Sequence, residues 1–198
     1  MGINNMNKLT IAAASVIFAL GSASAFADDI GLITFDGAVT DTTCTITTNN
    51  GVDANNVTIT MPVVKKIDVE GTTIDAGVGS KEFELKLTGC PTTLTKASAT
   101  FTSQQFAELS NGTLKTDPSV TGHADNVSLA LFNNSTSNTD RIQVGLPANN
   151  TQIAALEEGV GVLAYRVVYV PSADWVKGTN DITAGKVSSN ATFTMTYQ

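Results

Sequence analysis

Along most of this chain hydrophobic and polar residues alternate with a period of two, and that period predicts strands. In "GLITFDGAVTDTTC" (31–44), Ile33, Phe35, Gly37 and Val39 make one face, and Thr34, Asp36, Ala38 and Thr40 the other. The same alternation, or enrichment in β-branched and aromatic residues, marks 56–61, 81–90, 97–103, 126–132, 141–146, 162–170 and 190–198. Stretches crowded with Asn, Thr, Ser, Gly and Asp at 47–56, 133–140 and 172–185 read as the loops between them. Only 151–159 and 103–112 read as short helices, each about two turns. Seven or eight short strands separated by turn chemistry predict an all-β antiparallel sandwich.

The first of these strands poses a question. No turn signal joins 31–44 to a neighbouring strand, yet its apolar face needs a cover. Gly37 in its middle packs nothing and costs entropy, which marks a position where another chain segment comes very close.

Ahead of that strand lies a leader. Lys8, the apolar run 9–20 and the small-x-small ending Ala25-Phe26-Ala27 predict a secretory signal peptide over 1–27. The apolar run is shorter than the ~20 residues that span a bilayer. Translation from Met1 or from Met6 gives the same product. Removing 27 of the 198 residues leaves 171, a size that suits one domain with a real core. That part carries all 18 acidic residues and 10 of the 11 basic ones, a formal charge of −8, which argues against nucleic acid as a partner. With only Cys44 and Cys90 in an exported chain, an oxidising compartment favours a disulfide over a metal site or a nucleophile.

Catalytic chemistry finds little support. His123 is the one histidine, so a His-rich metal centre is impossible and a Ser-His-Asp triad would rest on it alone. Asp28-Asp29 and Glu157-Glu158 read as a terminus and a solvated face rather than an acid/base pair. Trp175, the one tryptophan, reads as a packing residue of its loop, with a sugar platform as the other option. No enzyme activity, cofactor or metal is expected.

Both ends of the exported part carry a family pattern. "GKVSSNATFTMTYQ" begins at Gly185, fourteenth from the end, and closes in the alternating Ala191, Phe193, Met195 and Tyr197, with tyrosine next to last. "ITFDGAVTDTTC" places alternating apolar residues around Gly37 and a cysteine seven positions beyond it. In this order, with 60–90 between the cysteines, the chain resembles subunits of chaperone–usher fimbriae, the type 1 fimbrial major pilin family.

The resemblance implies an incomplete immunoglobulin-like β-sandwich, completed by a donor strand from another chain. It divides the chain into the signal peptide 1–27, a donor-strand extension 28–41 and a pilin domain 42–198. Ile33, Phe35, Gly37 and Val39 would insert into a neighbouring subunit, while Gly185, Phe193, Met195 and Tyr197 would form the acceptor groove and chaperone edge. Cys44–Cys90 would pin the first domain strand to the second. The implied partners are other pilin subunits, a periplasmic chaperone and an outer-membrane usher, with export through the periplasm to a cell-surface fimbrium that supports adhesion. A shaft subunit is the expectation. A minor adapter near the tip shares the layout, and the readings from other classes are a stand-alone carbohydrate-binding sandwich using Trp175 and a hydrolase relying on His123.

Overall fold

The computed structural model describes residues 44–48 and 57–198. The signal-peptide expectation, the extension with Ile33, Phe35, Gly37 and Val39, and the loop 49–56 lie outside the described residues.

Ten elements follow one another: β1 (Thr45–Thr48), α1 (Lys66–Glu70), β2 (Val78–Thr88), β3 (Lys96–Thr102), β4 (Ala107–Glu108), β5 (Thr113–Lys115), β6 (Val127–Asn133), β7 (Ile153–Ala155), β8 (Gly161–Pro171) and β9 (Thr192–Tyr197). They form two antiparallel sheets, one ordered β1-β2-β8-β6-β5-β4 and one ordered β7-β3-β9. This is the antiparallel sandwich that the alternation predicts, in keeping with the immunoglobulin-like fold that the resemblance implies.

The period of two fixes which side chains meet. Leu85 and Leu87 of β2, Leu163 and Tyr165 of β8, and Ala97, Ala99 and Phe101 of β3 all point inward and are buried. Phe101 meets the Tyr165 ring edge-on, with centroids 5.0 Å apart, and Phe83 packs on the same ring at 5.4 Å. Cys44 and Cys90 are joined as a disulfide with Cα atoms 4.2 Å apart. The bond clamps the start of β1 to the end of β2, whose ladder begins at Thr45 opposite Thr88.

Besides the predicted strand at 56–61, four stretches differ from their sequence expectation. Residues 151–159 are not helical: Ile153–Ala155 pair with β3, and Glu157 and Val160 exchange backbone bonds of 2.9 Å across a tight turn. Glu158 and Gly159 both have positive φ, 50° and 77°, the geometry of a type I′ hairpin turn, so "EEG" is turn chemistry rather than a helix face. Residues 103–112 hold turns and the two-residue β4. The run 141–146 is buried at Ile142 and Val144 but meets β6 only in an isolated bridge, Arg141 opposite Phe132; Ile142 N–H donates to Leu131 and Val144 N–H to Gly112. Finally, α1 is a five-residue helix within a stretch that gave no helical signal, held by a Lys66–Glu70 ion pair one turn apart at 3.2 Å.

Candidate assembly groove

β9 lies at the edge of its sheet, and among the described residues it has a strand on one side only, β3. Its Thr192, Thr194 and Thr196 face outward and are exposed, while Phe193, Met195 and Tyr197 face the core and are half-buried. Their direct partners are Phe101, Ala99 and Ala97. Burial raises the ionisation of the Tyr197 hydroxyl above the usual phenol range. Gln198 ties down the end of the strand: its N–H donates to Lys96 and its carbonyl accepts from Thr95 and Lys96.

Facing β9 runs a second extended stretch. Val57, Ile59 and Met61 alternate with the exposed Thr58 and Thr60 and pack against the main core. The sequence predicts a strand here, and the burial pattern has its period, but residues 57–64 make no backbone hydrogen bond to another described residue. Two extended segments with inward apolar side chains therefore stand without ladder bonds between them.

An apolar groove of about 210 Å³ opens between them, with Val57, Ile59 and Met61 on one wall and Ala191 and Phe193 on the other. Its floor is core: Leu85, Phe101, Leu131 and Val167. Ser189 lines its end with a buried hydroxyl that has no partner among the described residues. Met61 also borders a second cavity of about 630 Å³, lined by Val64, Tyr169, Gly185 and Val187, so the two openings adjoin along one seam.

Of the predicted acceptor residues, Phe193 lines the groove, and Met195 and Tyr197 continue its face along β9. Gly185 is not on that strand. It borders the second cavity, where a Cβ would stand 2.5 Å from the backbone C and O of His123 and 2.6 Å from the N of Ala124. Flanking bonds hold this approach: Lys186 accepts from Ala124 N–H and donates to the Gly122 carbonyl, both at 2.8 Å. The wall 57–61 was missed as a site element, although its alternation was visible.

The other candidate residues are engaged elsewhere. His123 Nδ1 lies 3.1 Å from the Val120 carbonyl and Nε2 3.1 Å from Asp125 Oδ1, so both ring nitrogens face acceptors and neither faces a hydroxyl nucleophile. Trp175 packs against the cluster of Val69, Tyr169 and Ile182 with its indole N–H buried, which is the packing role.

A one-sided edge strand beside an open apolar groove leaves backbone groups and apolar surface to which a further strand can be added. No protein-family model matches the chain. It is similar to the F17 fimbrial protein of Escherichia coli, with 28% identity over 186 residues, covering 92% of this chain and 95% of that protein. Among solved structures it is similar to the CupB6 tip adhesin from Pseudomonas aeruginosa, with 17% identity and a TM-score of 0.48. That likeness covers 62% of this chain and 31% of the adhesin, so the chain spans about a third of its length. The chain therefore joins an antiparallel sandwich to a likeness with a fimbrial protein over nearly its full length.

Proposed function

We propose that the chain is a shaft subunit of a chaperone–usher fimbria that polymerises by donor-strand exchange and supports adhesion to surfaces. In this reading residues 1–27 direct export and are removed, 28–41 form the donor extension, and 42–198 are the acceptor domain. The observation that carries it is the groove between Val57–Met61 and β9, whose two sides lack ladder bonds between them among the described residues.

The physics is β-augmentation. A donor strand from a neighbouring copy would add backbone bonds to β9 and lay Ile33, Phe35 and Val39 onto the core residues that floor the groove. Each of these side chains contributes about 1.5–3 kcal/mol on full burial, against which association entropy must be set. Gly37 suits a shallow place in the groove where a larger side chain would collide. Release of the donor would reopen the core, so the fibre would persist through slow dissociation. Before assembly, a periplasmic chaperone would cover the same edge and an outer-membrane usher would pass the subunit to the surface. The role is structural rather than catalytic, a reading supported by the engagement of both His123 nitrogens.

The test is Gly37→Arg in the full chain, expressed with its chaperone and usher. Export of folded, disulfide-bonded subunit without surface fibres is the expected result. Normal fibres from the variant would contradict the donor role of 31–40.

A further inference from the structure

The second cavity beside the groove, about 630 Å³, differs in charge from the chain that forms it. Among the described residues its lining holds two lysines, Lys66 and Lys186, and no carboxylate, although the chain has 18 acidic and 11 basic residues. Lys66 is matched to Glu70 at 3.2 Å. The exposed Lys186 ammonium has no ion pair among the described residues. Apolar surface stands open at the same place. Val63, in the lining, is fully exposed and Ile67, on α1, is 64% exposed, the two most exposed large hydrophobic side chains among the described residues.

Continuity, charge and register point to one occupant. The cavity adjoins the groove at Met61, so a strand in the groove runs on into it. The stretch 28–43 carries Asp28, Asp29, Asp36 and Asp41 and no lysine or arginine, which complements a lining with lysines alone. Its alternating positions Ile33, Phe35, Gly37 and Val39 match in number Ala191, Phe193, Met195 and Tyr197.

Every ladder among the described residues is antiparallel, the more stable form of pairing. An antiparallel donor would set Ile33 beside Tyr197, Val39 beside Ala191 and Asp41 beside Ser189. The residues after Asp41 would cross 184–188, the rim that holds Lys186. The donor's own domain starts at Cys44, roughly 10 Å past Asp41, and so at the mouth of this cavity.

We infer that the cavity and the Val63–Ile67 face form a second contact between copies of the chain, beyond the exchanged strand itself. The Val39–Thr43 end of a neighbour's extension lies in the cavity, Asp41 pairs with Lys186, and the start of the neighbour's domain covers Val63 and Ile67. This inference rests on the donor-strand reading.

The test uses full-length chains assembled with their chaperone and usher. Asp41→Cys in one chain and Ser189→Cys in another are mixed, with Phe35→Cys and Met61→Cys as the reference pair for strand exchange. A disulfide between 41 and 189 is expected. If it is absent while the reference pair bonds, or if Gly31→Cys bonds to Ser189→Cys in its place, the inference is overturned and strand exchange stands. Loss of the reference bond as well overturns the donor-strand reading and this inference with it.

The charge pair and the apolar face are read from the rate of fibre dissociation in denaturant. Lys186→Glu is expected to raise it about two- to fivefold, and Asp41→Lys in the same chain to bring it back. Ile67→Ser is expected to raise it about tenfold, with the melting of the unassembled subunit unchanged. A rate that Lys186→Glu leaves unaltered, or that the exchanged charges do not recover, overturns the ion pair. A rate that Ile67→Ser leaves unaltered overturns the covered face.

Discussion

Phe193 on β9 stands directly opposite Phe101 on β3, their rings 6.3 Å apart and inclined at 51°. Phe101 is 5% exposed while Phe193 is only half-buried, and both line the groove. The core therefore runs into the groove without a break. If the groove takes a donor strand as proposed, it is an unfinished core, and substitutions in it are expected to act on folding and on assembly together.

The two phenylalanines should separate those effects. In the unassembled subunit, Phe101→Ala is expected to cost about 3–5 kcal/mol, and Phe193→Ala distinctly less because its burial is incomplete. In fibres the proposed donor strand would complete the burial of Phe193, and the gap is expected to narrow. Denaturant midpoints of subunit and fibre check this.

Tyr165 is fully buried and its hydroxyl has no partner among the described residues. Tyr165→Phe is therefore expected to stabilise the fold by about 1 kcal/mol. Burial also pushes the phenol up, so the folded chain keeps a proton that the unfolded chain has lost above its ordinary value of about 10. The Tyr165 contribution is intact below that pH and is lost as pH rises from there toward the folded value. Urea midpoints from neutral pH into the alkaline range should fall less steeply for the phenylalanine variant.

The disulfide closes a loop with a sequence separation of 46. Replacing both Cys44 and Cys90 by alanine should cost about 4 kcal/mol in the chain-entropy picture. A lowered melting temperature, with β-sheet circular dichroism retained in the cold, is the expected readout.

Gly185→Ala places a methyl group 2.5 Å from backbone atoms of His123, which cannot move aside as a side-chain tip can. The expected loss is about 1–3 kcal/mol, localised by hydrogen exchange to the amides of Ala124 and Lys186 that hold this contact.

The sandwich was legible because alternation directly encodes which side chains turn inward, as at Leu85 and Leu87 or Phe193 and Met195. The disulfide followed from cysteine number, and the inward face of β9 from its alternation. What the sequence hid are polar anchors whose partners are far along the chain. Asn149, in a stretch that looks like solvated loop, is buried and brackets Phe101, accepting from its N–H at 3.2 Å and donating to its carbonyl at 3.0 Å. Asn133 is wholly buried and donates to Asp140 and Asn150. Composition assigns such residues to water, and only the closed fold pairs them. The stretch 151–159 was misread for a related reason: an apolar residue every third or fourth position fits a helix, but Ile153 is 62% exposed on β7 and the left-handed pair Glu158-Gly159 turns the chain back.

The central claim is that the groove takes its strand from another copy. Two chains decide it when mixed during assembly, one carrying Phe35→Cys and the other Met61→Cys or Ala191→Cys on the groove walls. A disulfide joining the two kinds of chain is the predicted result. If the bond forms only when both cysteines sit in one chain, and closes within it, the extension fills its own groove and the polymer account is contradicted.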